Sequence, residues 1–136
     1  MKISKKVQEA LNTNRPVVAL ESTIISHGLP YPRNIAAAKE FEQQLIDAGV
    51  VPATIGIING VPTIGLGQDE LEQIASEGTA KSSVRDLPII AAKGINGATT
   101  VAATAFLAAK AGIRVFATGG LGGVHQGASE TFDESA

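Results

Sequence analysis

The stretch Pro16-Val-Val-Ala-Leu-Glu-Ser-Thr-Ile-Ile-Ser-His-Gly-Leu-Pro-Tyr-Pro32 decides how this chain is read. Val17–Leu20 is a short apolar run of the kind buried on both faces of a parallel sheet. Glu21 closes that run and opens a loop of hydroxyls, a histidine and prolines. A carboxylate at the mouth of a buried strand is costly unless it is paired, protonated or employed. Ligand sites in open α/β sheets lie just beyond the carboxyl ends of strands, which is where Glu21 falls. A strand-end Glu turned out to solvent satisfies the same pattern, and position alone does not choose.

Working outward, strands and helices alternate. Ser4 is a candidate N-cap for a first helix with Val7, Ala10 and Leu11 at helical spacing, ended by Asn12–Asn14. Asn34 suits the N-cap of a helix over 35–48, where Ile35, Ala38, Phe41, Leu45 and Ala48 form one stripe and Lys39, Glu40, Glu42 and Gln43 lie largely off it. A strand is expected over 53–58, and Asn59-Gly60 is a strong hairpin signal. Residues 61–66 then return antiparallel, with Pro62 favouring an edge. Asp69 suits the cap of a helix over 70–77 stopped by Gly78, and 88–92 is a further short apolar run. Thr99 or Thr100 can cap an Ala-rich helix over 101–111, and a last strand over 113–117 feeds the glycines 119, 120, 122, 123 and 127. The expectation is one α/β domain over 1–136 with a mixed sheet.

Bulk composition narrows the chemistry. The 136 residues carry 11 basic and 13 acidic side chains, so no basic face for nucleic acid is expected. There is no cysteine, which excludes disulfides and thiolate chemistry. No run approaches the length of a membrane span, and a cytoplasmic protein is the default expectation.

Several segments have the residue types of a site. Asn96-Gly-Ala-Thr-Thr100 precedes a helix, so amides and hydroxyls converge at its positive end in a way that suits a phosphate, although ordinary capping explains the same residues. Lys81, Arg85 and Asp86 lie in a polar stretch where cations can meet a phosphate or simply be solvated. The run Thr118-Gly-Gly-Leu-Gly-Gly-Val-His125 lets backbone approach a ligand, but it is no Walker loop. His27 and His125 lack the paired spacing of a zinc site. Asp133 and Glu134 offer hard oxygen ligands of the kind magnesium or manganese prefers.

Taken together, the runs 17–30, 51–55, 85–88 (Arg-Asp-Leu-Pro), 96–102 and 115–125 closely resemble the pseudouridine-5′-phosphate glycosidase (indigoidine synthase A-like) family, in the same order. The resemblance implies a layered α/β/α fold, a homotrimer and a divalent metal, usually manganese. It implies reversible cleavage of the C–C bond of pseudouridine 5′-phosphate to uracil and ribose 5-phosphate. Glu21 matches the general acid/base, Lys81 and Val101 match substrate contacts, and Asp133 matches the metal-associated aspartate. Ser135 and Ala136 match the start of a Ser-Ala-Asp substrate-binding run. The family's adduct-forming lysine has no counterpart here, since neither Lys93 nor Lys110 falls at its position. Accordingly the chain reads as the N-terminal part of a longer enzyme, with an incomplete sheet and no activity of its own. The alternative is a non-catalytic sugar-phosphate-binding or assembly fragment.

Overall fold

The computed structural model describes residues 1–76, 79–123 and 126–131. Strand β2 (Val17–Leu20) is central, pairing in parallel with β3 (Val51–Ile58) on one side and β7 (Val115–Ala117) on the other. The fully apolar run predicted this position, because both of its faces are covered. Strand β4 (Val61–Ile64) returns antiparallel along β3, and a two-residue strand β1 (Lys2–Ile3) pairs in parallel with β4 at Thr63 and Ile64. Asn59 and Gly60 both have positive φ, as a tight primed hairpin turn requires. Pro62 falls outside the β1 register, so its missing N–H costs no ladder bond.

Beyond β2, the same edge of β3 is taken over by a different strand. Residues 51–54 of β3 pair with β2, whereas Gly56 and Ile57 pair antiparallel with β6 (Gly97–Thr99). Strand β5 (Ala80–Ser82) then lies parallel to β6. The sheet is mixed, as expected.

Helices cover both faces. Helix α1 (Lys5–Asn12) and helix α5 (Val101–Lys110) bury Val7, Ala10, Leu107 and Ala108 against Ala19, Val51, Ala53, Ile55 and Ile64. On the opposite face, α2 (Arg33–Asp47) and α3 (Gln68–Ala75) pack Ala38, Leu71, Ile74 and Ala75 around Ile25, Leu66 and Ala98. Gly56 permits the close approach of α3, because a Cβ there would sit 3.0 Å from Leu66 Cδ1 and 3.2 Å from Ile74 Cδ1. Two short α-helices, α4 (Leu87–Lys93) and α6 (Ala128–Thr131), a π-helical turn over Ile24–Gly28 and a 3-10 turn over Val84–Asp86 complete the helices of the described residues.

Several local expectations are corrected. Helix α2 begins at Arg33 with Pro32 at its N-cap, not with Asn34. The buried Asn34 amide donates instead to Ile25 O at 2.9 Å and Ala75 O at 3.2 Å, tying three segments together; tertiary acceptors outcompete the local cap. Ala38 is buried as expected, but Phe41 is exposed, and Glu42 turns inward to accept from the Thr54 hydroxyl. Asp69 sits inside α3; Gly67 is the N-cap, and Glu70 Oε2 accepts its N–H at 2.8 Å. The run 88–92 lies within helix α4, entered through Pro88, which suits a first turn where its missing N–H is harmless. Gly97–Thr99 is a strand where a helix-entry loop was expected, because β3 offers it a free edge. Ser4 caps α1 as expected, accepting from Val7 N. Gly78 lies outside the described residues.

Candidate functional site

The site is built where β2 and β6 both end. Thr99 N donates to Ser22 Oγ at 2.8 Å, and Ser22 N donates to Thr99 O at 3.4 Å. The Thr99 hydroxyl donates to Ile55 O at 2.7 Å and accepts from the Thr104 hydroxyl at 2.9 Å. Ser22, Thr99 and Thr104 are all fully buried. Polar groups so deep persist only when they bond one another, and this set fixes β2, β3, β6 and α5 at a single point. One residue further on, Thr100 N donates to Ser82 O at 3.0 Å.

Three residues singled out from the sequence are chain neighbours of those two junctions, though only Glu21 of the three also lines a neighbouring hollow. Glu21 adjoins Ser22, Lys81 adjoins Ser82, and Val101 follows Thr100 as the first residue of α5. Lys81 lies on β5 in register with Ala98 and is half-buried. Thr100 holds the N-cap of α5, but its hydroxyl makes no cap bond and, though buried, has no partner. Two further buried hydroxyls in the segment that follows Glu21, those of Thr23 and Ser26, are also unpartnered. An uncapped helix start with unused hydroxyls has the donors an anion needs.

Glu21 itself lines a hollow of about 450 Å³ at the ends of β2 and β7. Its lining also includes Phe41, Gln44 and Leu45 of α2, Ile24 of the turn after β2, and Ala117, Thr118 and Gly119. The Thr118 hydroxyl donates to Glu21 Oε1 at 2.5 Å, so the half-buried carboxylate has a partner, in a contact that is itself open to solvent. Thr118 stood at the head of the glycine run in the sequence; its role becomes visible through the parallel register Leu20↔Ala117, which makes Glu21 and Thr118 the next facing pair. Thr99 was a candidate helix cap in the sequence and Ser22 lay in the hydroxyl-bearing loop after Glu21, but nothing in the sequence joined the two.

The remaining candidates divide. Lys93 ends α4 and Lys110 ends α5, where its ammonium sits 5.1 Å from the Phe106 ring centroid; neither joins the Glu21 junction. Arg85 pairs with Asp86 at 3.7 Å. His27 is exposed on the turn after β2. His125, Asp133, Glu134, Ser135 and Ala136 lie outside the described residues. Among the described residues no three His, Asp or Glu side chains gather to hold a metal ion, so they do not by themselves furnish a manganese site. No helix among them is long and apolar enough to cross a membrane.

Comparison with known proteins matches this architecture. The chain is 66% identical over 135 residues to the pseudouridine-5′-phosphate glycosidase of Saccharopolyspora erythraea, covering 98% of this chain and 45% of that protein. With the enzyme of the same name from Escherichia coli it shares 57% identity over 138 residues, covering 100% of this chain and 44% of that one. Among solved structures, the prealnumycin C-glycosynthase AlnA in complex with ribulose 5-phosphate superposes with a TM-score of 0.81 at 43% identity, over 98% of this chain and 43% of that chain. An indigoidine synthase A-like protein from Thermotoga maritima gives 0.80 at 38% identity, over 93% and 41%. The chain thus spans less than half the length of these relatives. Its residues 6–136 match the model of the indigoidine synthase A-like proteins, and the chain belongs to that family.

Proposed function

We propose that this chain supplies the acid/base and sugar-phosphate-binding part of a pseudouridine-5′-phosphate glycosidase. The reaction takes up water, breaks the C–C glycosidic bond and yields uracil and ribose 5-phosphate, reversibly. The placement of Glu21, Lys81 and Val101 next to two consecutive strand junctions carries this reading, in a chain whose close relatives bear that enzyme's name.

The division of labour follows from chemistry. A carbon leaving group departs with the bonding electrons and must be protonated, so an acid/base at the sugar–uracil junction is indispensable; Glu21 holds and moves that proton. The Lys81 ammonium and the N–H of Val101 bind the 5′-phosphate, the former as a point charge and the latter through the positive end of α5. The lysine that traps the opened sugar comes from the remainder of the protein, and splits one hard bond cleavage into two easier steps. Ser135 and Ala136 extend the substrate contacts, and Asp133 is assigned to a manganese ion that polarises oxygen ligands. The working enzyme is a cytoplasmic homotrimer. The uncapped start of α5 also supports a second reading, in which this chain binds sugar phosphate without catalysis.

The test mixes this chain with the C-terminal remainder of the Saccharopolyspora relative, adds pseudouridine 5′-phosphate and manganese, and follows uracil release. The mixture should turn over, the chain alone should not, and Glu21→Gln should abolish turnover. An inactive but associated mixture, or an active Glu21→Gln mixture, overturns the reading. Turnover by the chain alone removes the assignment of the lysine to the remainder.

A further inference from the structure

The Thr118 hydroxyl has three polar neighbours: Glu21 Oε1 at 2.5 Å, Gly120 O at 3.0 Å and Gly120 N at 3.3 Å. A hydroxyl has one proton to give and lone pairs to receive. Two of these neighbours are acceptors and one is a donor, so a single proton must choose between a carboxylate and a carbonyl.

We infer that Thr118 is a positioning residue that serves Glu21 in both of its protonation states by reversing one hydrogen bond. With Glu21 ionised, the Thr118 O–H donates to Oε1, while Gly120 N–H donates to Thr118 Oγ1. With Glu21 protonated, the Glu21 O–H donates to Thr118 Oγ1, and the Thr118 O–H turns to Gly120 O. Apart from the proton that Glu21 itself gains or gives up, only a rotation of the Thr118 hydroxyl separates the two states, and every O–H proton has an acceptor in both. Catalytic dipoles that need no reorganisation are the effective ones, and an acid that must act later as a base needs them in both states.

The surroundings favour this role for Thr118. The other residues lining the hollow are Leu20, Ile24, Ala117, Gly119 and, from α2, Phe41, Gln44 and Leu45; none of them ionises. Glu42, one residue from Phe41, is engaged with Thr54. Among the described lining residues Glu21 therefore carries the carboxyl, and Thr118 is its hydroxyl partner.

The inference deepens the glycosidase reading, since it gives the reversal a use in turnover, but it is tested without substrate. In a pH titration of the 136-residue chain followed by amide NMR, the Gly120 resonance should show a carboxyl inflection. That inflection should vanish in Glu21→Gln and in Thr118→Val, and persist in Thr118→Ser, while the amides of Ala53 and Ile55 stay in place as a check on the fold. A Gly120 amide that does not titrate, or a Thr118→Val chain that keeps the full inflection, overturns it. Failure of the uracil assay would leave this titration untouched, so the two ideas fall separately.

Discussion

Thr99 and Ser22, 77 residues apart, exchange two hydrogen bonds: the Thr99 N–H meets the Ser22 hydroxyl at 2.8 Å and the Ser22 N–H meets the Thr99 carbonyl. This reciprocal pair joins the ends of two strands that share one edge of β3. Glu21 stands on one side of it and the start of α5 on the other. The separation of that acid from that helix start is thereby set by buried residues.

Replacing Thr99 with the isosteric valine should therefore cost stability. The substitution removes the donor to Ile55 O and the acceptor used by Thr104, and leaves buried polar groups without partners. A loss of about 1–3 kcal/mol is expected, read by urea unfolding. Thr99→Ser, which keeps the hydroxyl, should lose clearly less. Equal losses in the two variants would assign the effect to packing instead of the network.

Much of the sheet was legible because its signals were local. The apolar run ending at Leu20 announced a buried central strand, and Asn59-Gly60 announced the hairpin. What escaped was everything decided by a distant edge. Gly97–Thr99 has no strand pattern of its own and becomes a strand because β3 extends past β2. The run 88–92 is apolar but enters through Pro88 and takes helix. Asn34 looked like a cap, yet its amide found carbonyls in two other segments. At the site, Glu21 and Lys81 stood out from the residues around them and Val101 came through a resemblance alone, whereas the pairing of Thr118 with Glu21 needed the β2–β7 register to be seen.

Acid should weaken the link between β1 and α3 through Glu70. Burial raises the carboxyl's affinity for a proton, but the Gly67 N–H and Lys2, bonded at 2.8 Å each, outweigh it and hold the pKa below its ordinary value. A carboxylate depressed in the folded state stabilises above its unfolded pKa, about 4.3, and that contribution drains away as pH falls through the lowered folded value. Thermal stability should thus drop on acidification in this window, and Glu70→Gln should flatten part of the slope. An unchanged slope in that variant would rule the group out as a contributor.

Ribose 5-phosphate should raise the melting temperature of the isolated chain. A ligand at a hundred times its Kd stabilises by about 2.7 kcal/mol, enough for a shift of several degrees. Lys81→Ala should remove the shift while leaving the unliganded melting temperature near its original value, because Lys81 is only half-buried. Inorganic phosphate should give a smaller shift through the same residues. A full shift retained in Lys81→Ala would move the phosphate away from the β5–α5 corner.

The outer edge of β7 carries the last prediction. Strand β7 pairs with β2 and with no other described strand, and Val115 is 56% exposed on it, with Phe106 of α5 also open. An unpaired edge with apolar side chains is a template for further strand pairing, which natural sheets suppress with charge. Purified chain should therefore self-associate with rising concentration in sedimentation velocity. Val115→Lys places a charge on the edge without touching the buried Ile113, so it should shift the distribution toward monomer and leave the melting temperature little changed. Association undiminished by Val115→Lys would locate the contact elsewhere, with exposed Phe41 and Ile46 of α2 the next surface to charge.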